Sequence, residues 1–195
     1  MFGNIDIYLF DQLLKERLLP GMRLLDAGCG SGRNLNWFLQ NGFDICGIDA
    51  SPEAVAQTKA LAASLAPGLP ANNFVVASVE QMSFADEDFD AVISSAVLHF
   101  ARDENQWRAM VDEMWRVLRP GGIFFARLAS TVGIEHQVRQ IEPRRYHLPD
   151  GSIRFLVDEQ MLMTTTKDLG GQWLEPLKTV VVQSLRSMSN WILVK

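Results

Sequence analysis

Three glycines at alternate positions, Gly28, Gly30 and Gly32, follow a short apolar run and Asp26 in LLDAGCGSGRN, residues 24–34. A chain that gives up side chains at this spacing turns sharply, or lets a ligand lie against its backbone. Asp49 closes the next apolar run about twenty residues later, where a strand-end carboxylate can accept hydrogen bonds from both ribose hydroxyls of a nucleoside. Loop and acid together point to a nucleoside-containing ligand without choosing which. A second group is basic: His136, Arg139, Arg144, Arg145, His147 and Arg154 gather between residues 136 and 154, against Glu135, Glu142 and Asp150. Arg127 lies inside the apolar run FFARLA, where a guanidinium is hard to bury without a partner. Together these cations could wall a site for a small anion. The alternative is a solvated loop and hairpin, the usual fate of charge clusters.

Those groups need elements to hold them. Ile7, Phe10, Leu13, Leu14 and Leu18 recur at helical spacing until Pro20-Gly21, so a helix precedes the loop. MRLLDA (22–27) reads as a buried strand, and Leu35, Phe38 and Leu39 as one face of a helix closed by Asn41-Gly42. FDICGID (43–49) is a second strand, and residues 51–65 a helix with Ser51 as N-cap and Pro52 at its first position. NFVVA (73–77) and FDAVISS (89–95) follow as strands. Trp107, Met110, Val111, Met114, Trp115 and Leu118 form a helical stripe, read as core, that RPGG ends; IFFARLA (123–129) is the fifth strand. Alternating strands and helices predict an α/β fold with a mainly parallel, doubly wound sheet and a ligand site beyond the strands' carboxyl ends. The tail predicts a helix over 158–169 and an antiparallel hairpin at one sheet edge.

At 195 residues the chain suits one domain: a leading helix (1–21), a core (22–129), a substrate-side insertion (130–157), and a helix with the terminal hairpin (158–195). A formal charge of -5 opposes a general grip on nucleic acid. No apolar run is long enough to span a membrane, and the first residues lack a signal peptide's basic start and cleavage site. Two cysteines, Cys29 and Cys46, show no metal-ligand spacing and fit a reducing compartment, so a cytoplasmic protein without a bound metal is expected. Oligomeric state is not legible.

LLDAGCGSG, GIDAS, SVEQMSFADEDFDAVISSAVLH and LRPGG, in that order over residues 22–127, resemble the motif series of class I S-adenosylmethionine-dependent methyltransferases. GSGRN is more weakly similar to the tellurite-resistance and thiopurine types. The resemblance implies a Rossmann-like sheet of seven strands, S-adenosyl-L-methionine as cofactor, S-adenosyl-L-homocysteine as product, and a small-molecule acceptor. It places Asp26 and the backbone of Gly28 and Gly30 at the methionine end, with Cys29 and Gly32 in the same cofactor-binding loop, Asp49 at the ribose, and Ala50 with Ser51 beside the adenine. Ser78 stands where many members have an aspartate, leaving Val79, Glu80 or water to meet the adenine amino group. Ser94 would offer its carbonyl to the ammonium. Arg33 either reaches the cofactor carboxylate or is an ordinary exposed residue.

Methyl transfer needs alignment of donor and acceptor, and a base only where the acceptor still carries a proton. His99 follows the fourth strand and either orients or deprotonates an acceptor, or closes a loop by hydrogen bonding. Arg127, Tyr8, His136, Arg139, Tyr146 and Arg154 are the remaining acceptor-side candidates. An NAD(P)-dependent oxidoreductase is the first rival, weakened because the loop is not G-x-G-x-x-G and no Tyr-x-x-x-Lys pair is present. A non-catalytic cofactor-binding module is the second.

Overall fold

Four acidic or hydroxyl side chains start helices in the computed structural model, which describes residues 2–195. Asp6, Ser51, Asp103 and Asp158 each accept hydrogen bonds from otherwise unpaired amides of a first turn. The order is α1 (Ile7–Leu14), β1 (Arg23–Ala27), α2 (Asn36–Gln40), β2 (Asp44–Asp49), α3 (Pro52–Leu65), β3 (Phe74–Val76) and β4 (Phe89–Ser95). Then come α4 (Glu104–Val117), β5 (Leu118–Ala129), β6 (Arg139–Glu142), β7 (Arg145–His147), β8 (Ile153–Phe155), α5 (Glu159–Asp168), β9 (Gln172–Trp173), β10 (Lys178–Val182) and β11 (Arg186–Val194).

Seven strands form the main sheet in the order β10-β11-β5-β4-β1-β2-β3, with the short β9 added along β11. β1 to β5 pair in parallel, while β11 runs antiparallel to both β5 and β10. The reversal of strand order falls between β1 and β4, beyond whose carboxyl ends a doubly wound sheet binds its ligand. Successive strand residues point to opposite faces, and the core divides accordingly. Leu24, Ile45, Ala91 and Ile93 pack against Leu9, Phe38 and Val55 of α1, α2 and α3. Leu25, Cys46 and Val92 share the other layer with Trp107, Met114 and Leu162 of α4 and α5.

Three local expectations change. The leading helix ends at Leu14, not at Pro20: Glu16 takes a φ of 54°, which a helix cannot contain. Its buried face is Leu9 and Gln12, while Ile7 and Leu14 are exposed. Gln12 turns inward because Glu175, held by Lys15, Arg17 and Lys178, accepts its amide at 3.2 Å. β5 begins at Leu118, pairing with Phe89 ahead of a register shift, so RPGG lies within the strand and not before it. The insertion is a separate antiparallel sheet, β6-β7-β8, tied to the end of β5 by a Ser130–Val157 bridge. Among the described residues no helix is long and apolar enough to cross a membrane.

Candidate functional site

The loop after β1 is lashed to the end of β2. The amides of Gly28 and Cys29 both donate to the Ile48 carbonyl at 2.8 Å. The Asp49 carboxylate accepts the Gly30 amide through one oxygen and the Ser51 amide through the other, each at 2.9 Å. Thr58 Oγ1 of α3 donates to the Gly30 carbonyl at 2.7 Å. All three glycines have positive φ, yet they do different work. A Cβ on Gly28 would lie 2.4 Å from Val97 Cγ2, and one on Gly32 2.8 Å from Leu61 Cδ2, so these two seat the loop against its neighbours. Nothing lies within 4 Å of a Cβ on Gly30. There the backbone faces open space that a ligand can enter.

That space belongs to a cavity of about 510 Å³ lined by Gly28, Gly30, Asp49, Ala50, Ser78, Val79 and Glu80 on one side, and by Val97, Phe100 and Met110 on another. Glu80 is oriented by the Gln106 amide at 2.9 Å. Asp26 lies buried in β1, and neither of its carboxylate oxygens has a partner among the described residues. Burial pushes its pKa up to about 7, the nearby Arg33 opposes the rise, and Asp49 adds to it. The Ser94 hydroxyl is buried and unpartnered too.

Other expected contacts fall elsewhere. Gly32 does not line the cavity. Ser51 caps α3, accepting the Ala54 amide at 3.2 Å. The Cys29 side chain packs against Gly47, and burial pushes its thiol up to about 12. Its backbone ties the loop down, and its sulfur takes no part in a site. Arg33 reaches across the cleft to the Asn4 carbonyl at 3.0 Å and Ser95 Oγ at 3.4 Å, holding the leading segment near the loop.

A second cavity, of about 330 Å³, adjoins the first and shares Ala96 and Phe100 with it. His99, Arg127, Asp150, Ser152, Arg154 and Arg186 also line it. Arg127 Nη1 donates to Asp6 Oδ2 at 2.6 Å, and the guanidinium lies 5.3 Å from the Tyr8 ring centre. Tyr8 thus supports Arg127 and lines neither cavity. Arg154 lies 4.9 Å over the ring of Phe100 and bonds the Ile153 carbonyl. His99 Nδ1 accepts the Ala129 amide at 3.3 Å, which places the ring proton on Nε2. Burial, then Arg154 and Arg186, push its pKa down to about 4. A neutral imidazole whose acceptor nitrogen is already used cannot serve as a base, so His99 remains a donor and that part of the sequence reading is corrected.

Three further expectations are corrected here. His136 and Arg139 are exposed and outside both cavities. Tyr146 packs with Leu148, Leu156 and Met188. Arg144 and Arg145 are turned to Asp158 and Glu142, so most of the basic segment is paired surface. Sequence reasoning passed over Arg186, Phe100 and Asp6. Only Asp6 carried a signal, as an acid immediately before an apolar helical run.

Residues 25–126 match the methyltransferase-domain family, which spans just over half of the chain. The chain belongs to the class I S-adenosylmethionine-dependent methyltransferases. An uncharacterized methyltransferase of Synechocystis is 34% identical over 117 residues, covering 59% of this chain and 51% of that protein. A malonyl-[acyl-carrier protein] O-methyltransferase of Pseudescherichia vulneris is 31% identical over 170 residues, covering 86% and 62%. The chain therefore spans about half to three-fifths of those relatives' length. In fold it is similar to the Burkholderia thailandensis 1,6-didemethyltoxoflavin-N1-methyltransferase, solved with bound 1,6-didemethyltoxoflavin and S-adenosylhomocysteine: TM-score 0.71, 19% identity, 94% of this chain and 75% of that one.

The residues of the larger cavity fit the family's cofactor. Gly30 leaves its backbone open and Asp49 keeps unused lone pairs at the cavity wall, while near the end of β1 the buried Asp26 carboxylate has no hydrogen-bond partner among the described residues. The nicotinamide reading falls with the family assignment.

Proposed function

We propose that this methyltransferase transfers a methyl group from S-adenosylmethionine to a small anionic acceptor held in the arginine-lined cavity. One observation carries the reading: the glycine-loop cavity and the arginine-lined cavity share Ala96 and Phe100 as a common wall, so ligands in the two would meet there. When bound, the cofactor supplies an electrophilic methyl group on a sulfonium. The chain's part is to hold and align. Asp49 would accept the ribose hydroxyls, Asp26 the ammonium, and Ala50, Ser78, Val79 and Glu80 would flank the adenine. Phe100, 63% exposed between the cavities, would cover the meeting point. A charged acceptor and a charged donor lose water on entering, which strengthens their attraction.

Titration calorimetry tests the cofactor half: S-adenosylhomocysteine should bind, and NADH should not. Asp49→Ala should weaken the former by about 1.5 to 3 kcal/mol, the scale for hydrogen bonds to a charged group. Unchanged affinity in the folded variant removes the ribose role. Turnover of radiolabelled methyl on a panel of small acids tests the rest, and binding without transfer to any of them would favour a non-catalytic module.

A further inference from the structure

The smaller cavity carries more charge than the chain's overall acidity suggests. Arg127, Arg154, Arg186 and Asp150 line it, and Asp6 stands behind Arg127. Asp6 spends its second oxygen on Arg127, and Asp150 is engaged by Ser152, whose amide and hydroxyl donate to it at 2.9 Å and 2.6 Å. Arg154 and Arg186 have no carboxylate within salt-bridge distance among the described residues. Counting Arg127, Arg154 and Arg186 against Asp6 and Asp150 leaves one positive charge uncompensated. The other free group is His99, which is 8% exposed, lines the cavity, and has no partner for its Nε2–H.

We infer that this cavity selects a monoanionic carboxylate, with Arg154 and Arg186 as its specificity-determining residues and His99 as a neutral donor beside them. The inference rests on the methyltransferase reading and adds to it the chemical class of acceptor. Three features converge. A planar guanidinium presents paired N–H donors that match the two oxygens of a carboxylate. One surplus positive charge balances one negative charge, whereas a phosphomonoester dianion would leave the cavity negative. Finally, the lining offers only poor groups to take a proton from an acceptor. His99 has used its acceptor nitrogen, and the Asp150 carboxylate, already taking both donors of Ser152 and lowered in pKa by Ser152 and the neighbouring arginines, is a weakened base. The lining therefore favours an acceptor that arrives without a proton to lose, as a carboxylate does at neutral pH. Arg154, lying over Phe100, is the guanidinium at the wall that both cavities share.

The test is binding, with the chain saturated in S-adenosylhomocysteine and probed by benzoate, benzamide and phenyl phosphate. NMR of arginine Nε–H groups and calorimetry read the result. Benzoate should shift the Arg154 and Arg186 signals and bind roughly tenfold or more tighter than benzamide, as expected of a charge-assisted contact. Arg154→Gln and Arg186→Gln should each remove most of that preference while leaving S-adenosylhomocysteine affinity within about twofold, the scatter of a distant site. Arg154→Lys should recover only part of it, because an ammonium lacks the planar fork. Equal binding of benzamide, tighter binding of phenyl phosphate, no binding of benzoate, or a preference surviving in both glutamine variants overturns the assignment. Failure of S-adenosylhomocysteine to bind at all would instead overturn the methyltransferase reading.

Discussion

The glycine loop and the arginine-lined cavity share a wall, yet they are built on opposite plans. The glycine loop and the end of β2 form one wall of the first, and they do so largely with main chain: amides tied to Ile48 and Asp49, and an open backbone at Gly30. The second is a convergence of side chains from distant stretches, His99 after β4, Arg127 in β5, Arg154 in β8 and Arg186 in β11. Where main chain forms the wall, an added Cβ at a crowded glycine is the damaging change. Where side chains form it, loss of a charge is. The first plan suits a ligand common to a whole family, and the second lets one chain choose its own acceptor.

The sharpest way to break this contrast is Gly28→Ala. Its Cβ would meet Val97 at 2.4 Å with φ at +87°, so overpacking and backbone strain add. We expect a stability loss of roughly 3 kcal/mol or more by chemical denaturation. A variant as stable as the parent would mean that Val97 yields and that the loop is less tightly specified than the contacts imply. Next comes His99, on the side-chain plan. It stays neutral in the fold down to about pH 4, whereas an unfolded histidine takes up a proton near 6.5. The unfolded chain therefore binds more protons between those values, and stability falls as pH drops through that window, by roughly 3 kcal/mol. Acid denaturation of His99→Gln should lack this component; an unchanged slope would show that the ring is not buried as a neutral donor. The smallest effect on stability belongs to Gly30→Ala. With open space around its Cβ, the cost should be about 1 kcal/mol from φ alone, while S-adenosylhomocysteine binding weakens because a methyl group enters the cavity. A large stability loss with intact binding would reverse the roles given to Gly28 and Gly30.

Periodicity and punctuation made most of the fold legible. β1, β2, α3, β4 and α4 lie where alternation, Ser51-Pro52 and the Trp/Met stripe put them, because each of those signals is local. The buried face of the leading helix differs from its apolar pattern for an instructive reason. Ile7 and Leu14 look like a buried face at helical spacing, but Glu175, distant in sequence, draws Gln12 inward and leaves both in solvent. The loop residues of the cofactor site were legible for the same reason as the strands, since backbone conformation and spacing are written in consecutive residues. The division of labour among Gly28, Gly30 and Gly32 was not, because it depends on which side chains, Val97 or Leu61, arrive beside each.

On the acceptor side, the sequence by itself determined that Arg127 needs a partner and that an acidic chain carries a basic stretch after β5. Only the tertiary structure decided that the partner is Asp6, 121 residues away, that Arg139 and His136 face solvent, and that Arg186 joins Arg154 at the cavity. Electrostatic pairing acts through space, and a charge shows its partner only after strands from opposite ends of the chain lie side by side. The antiparallel pairing of β11 with β5 brings Met188 beside Ala129, which carries Arg186 to the rim that Arg127 and His99 already occupy. No spacing within the sequence encodes that approach, because it follows from the burial of Trp191, Ile192 and Leu193 as β11 inserts between β5 and β10.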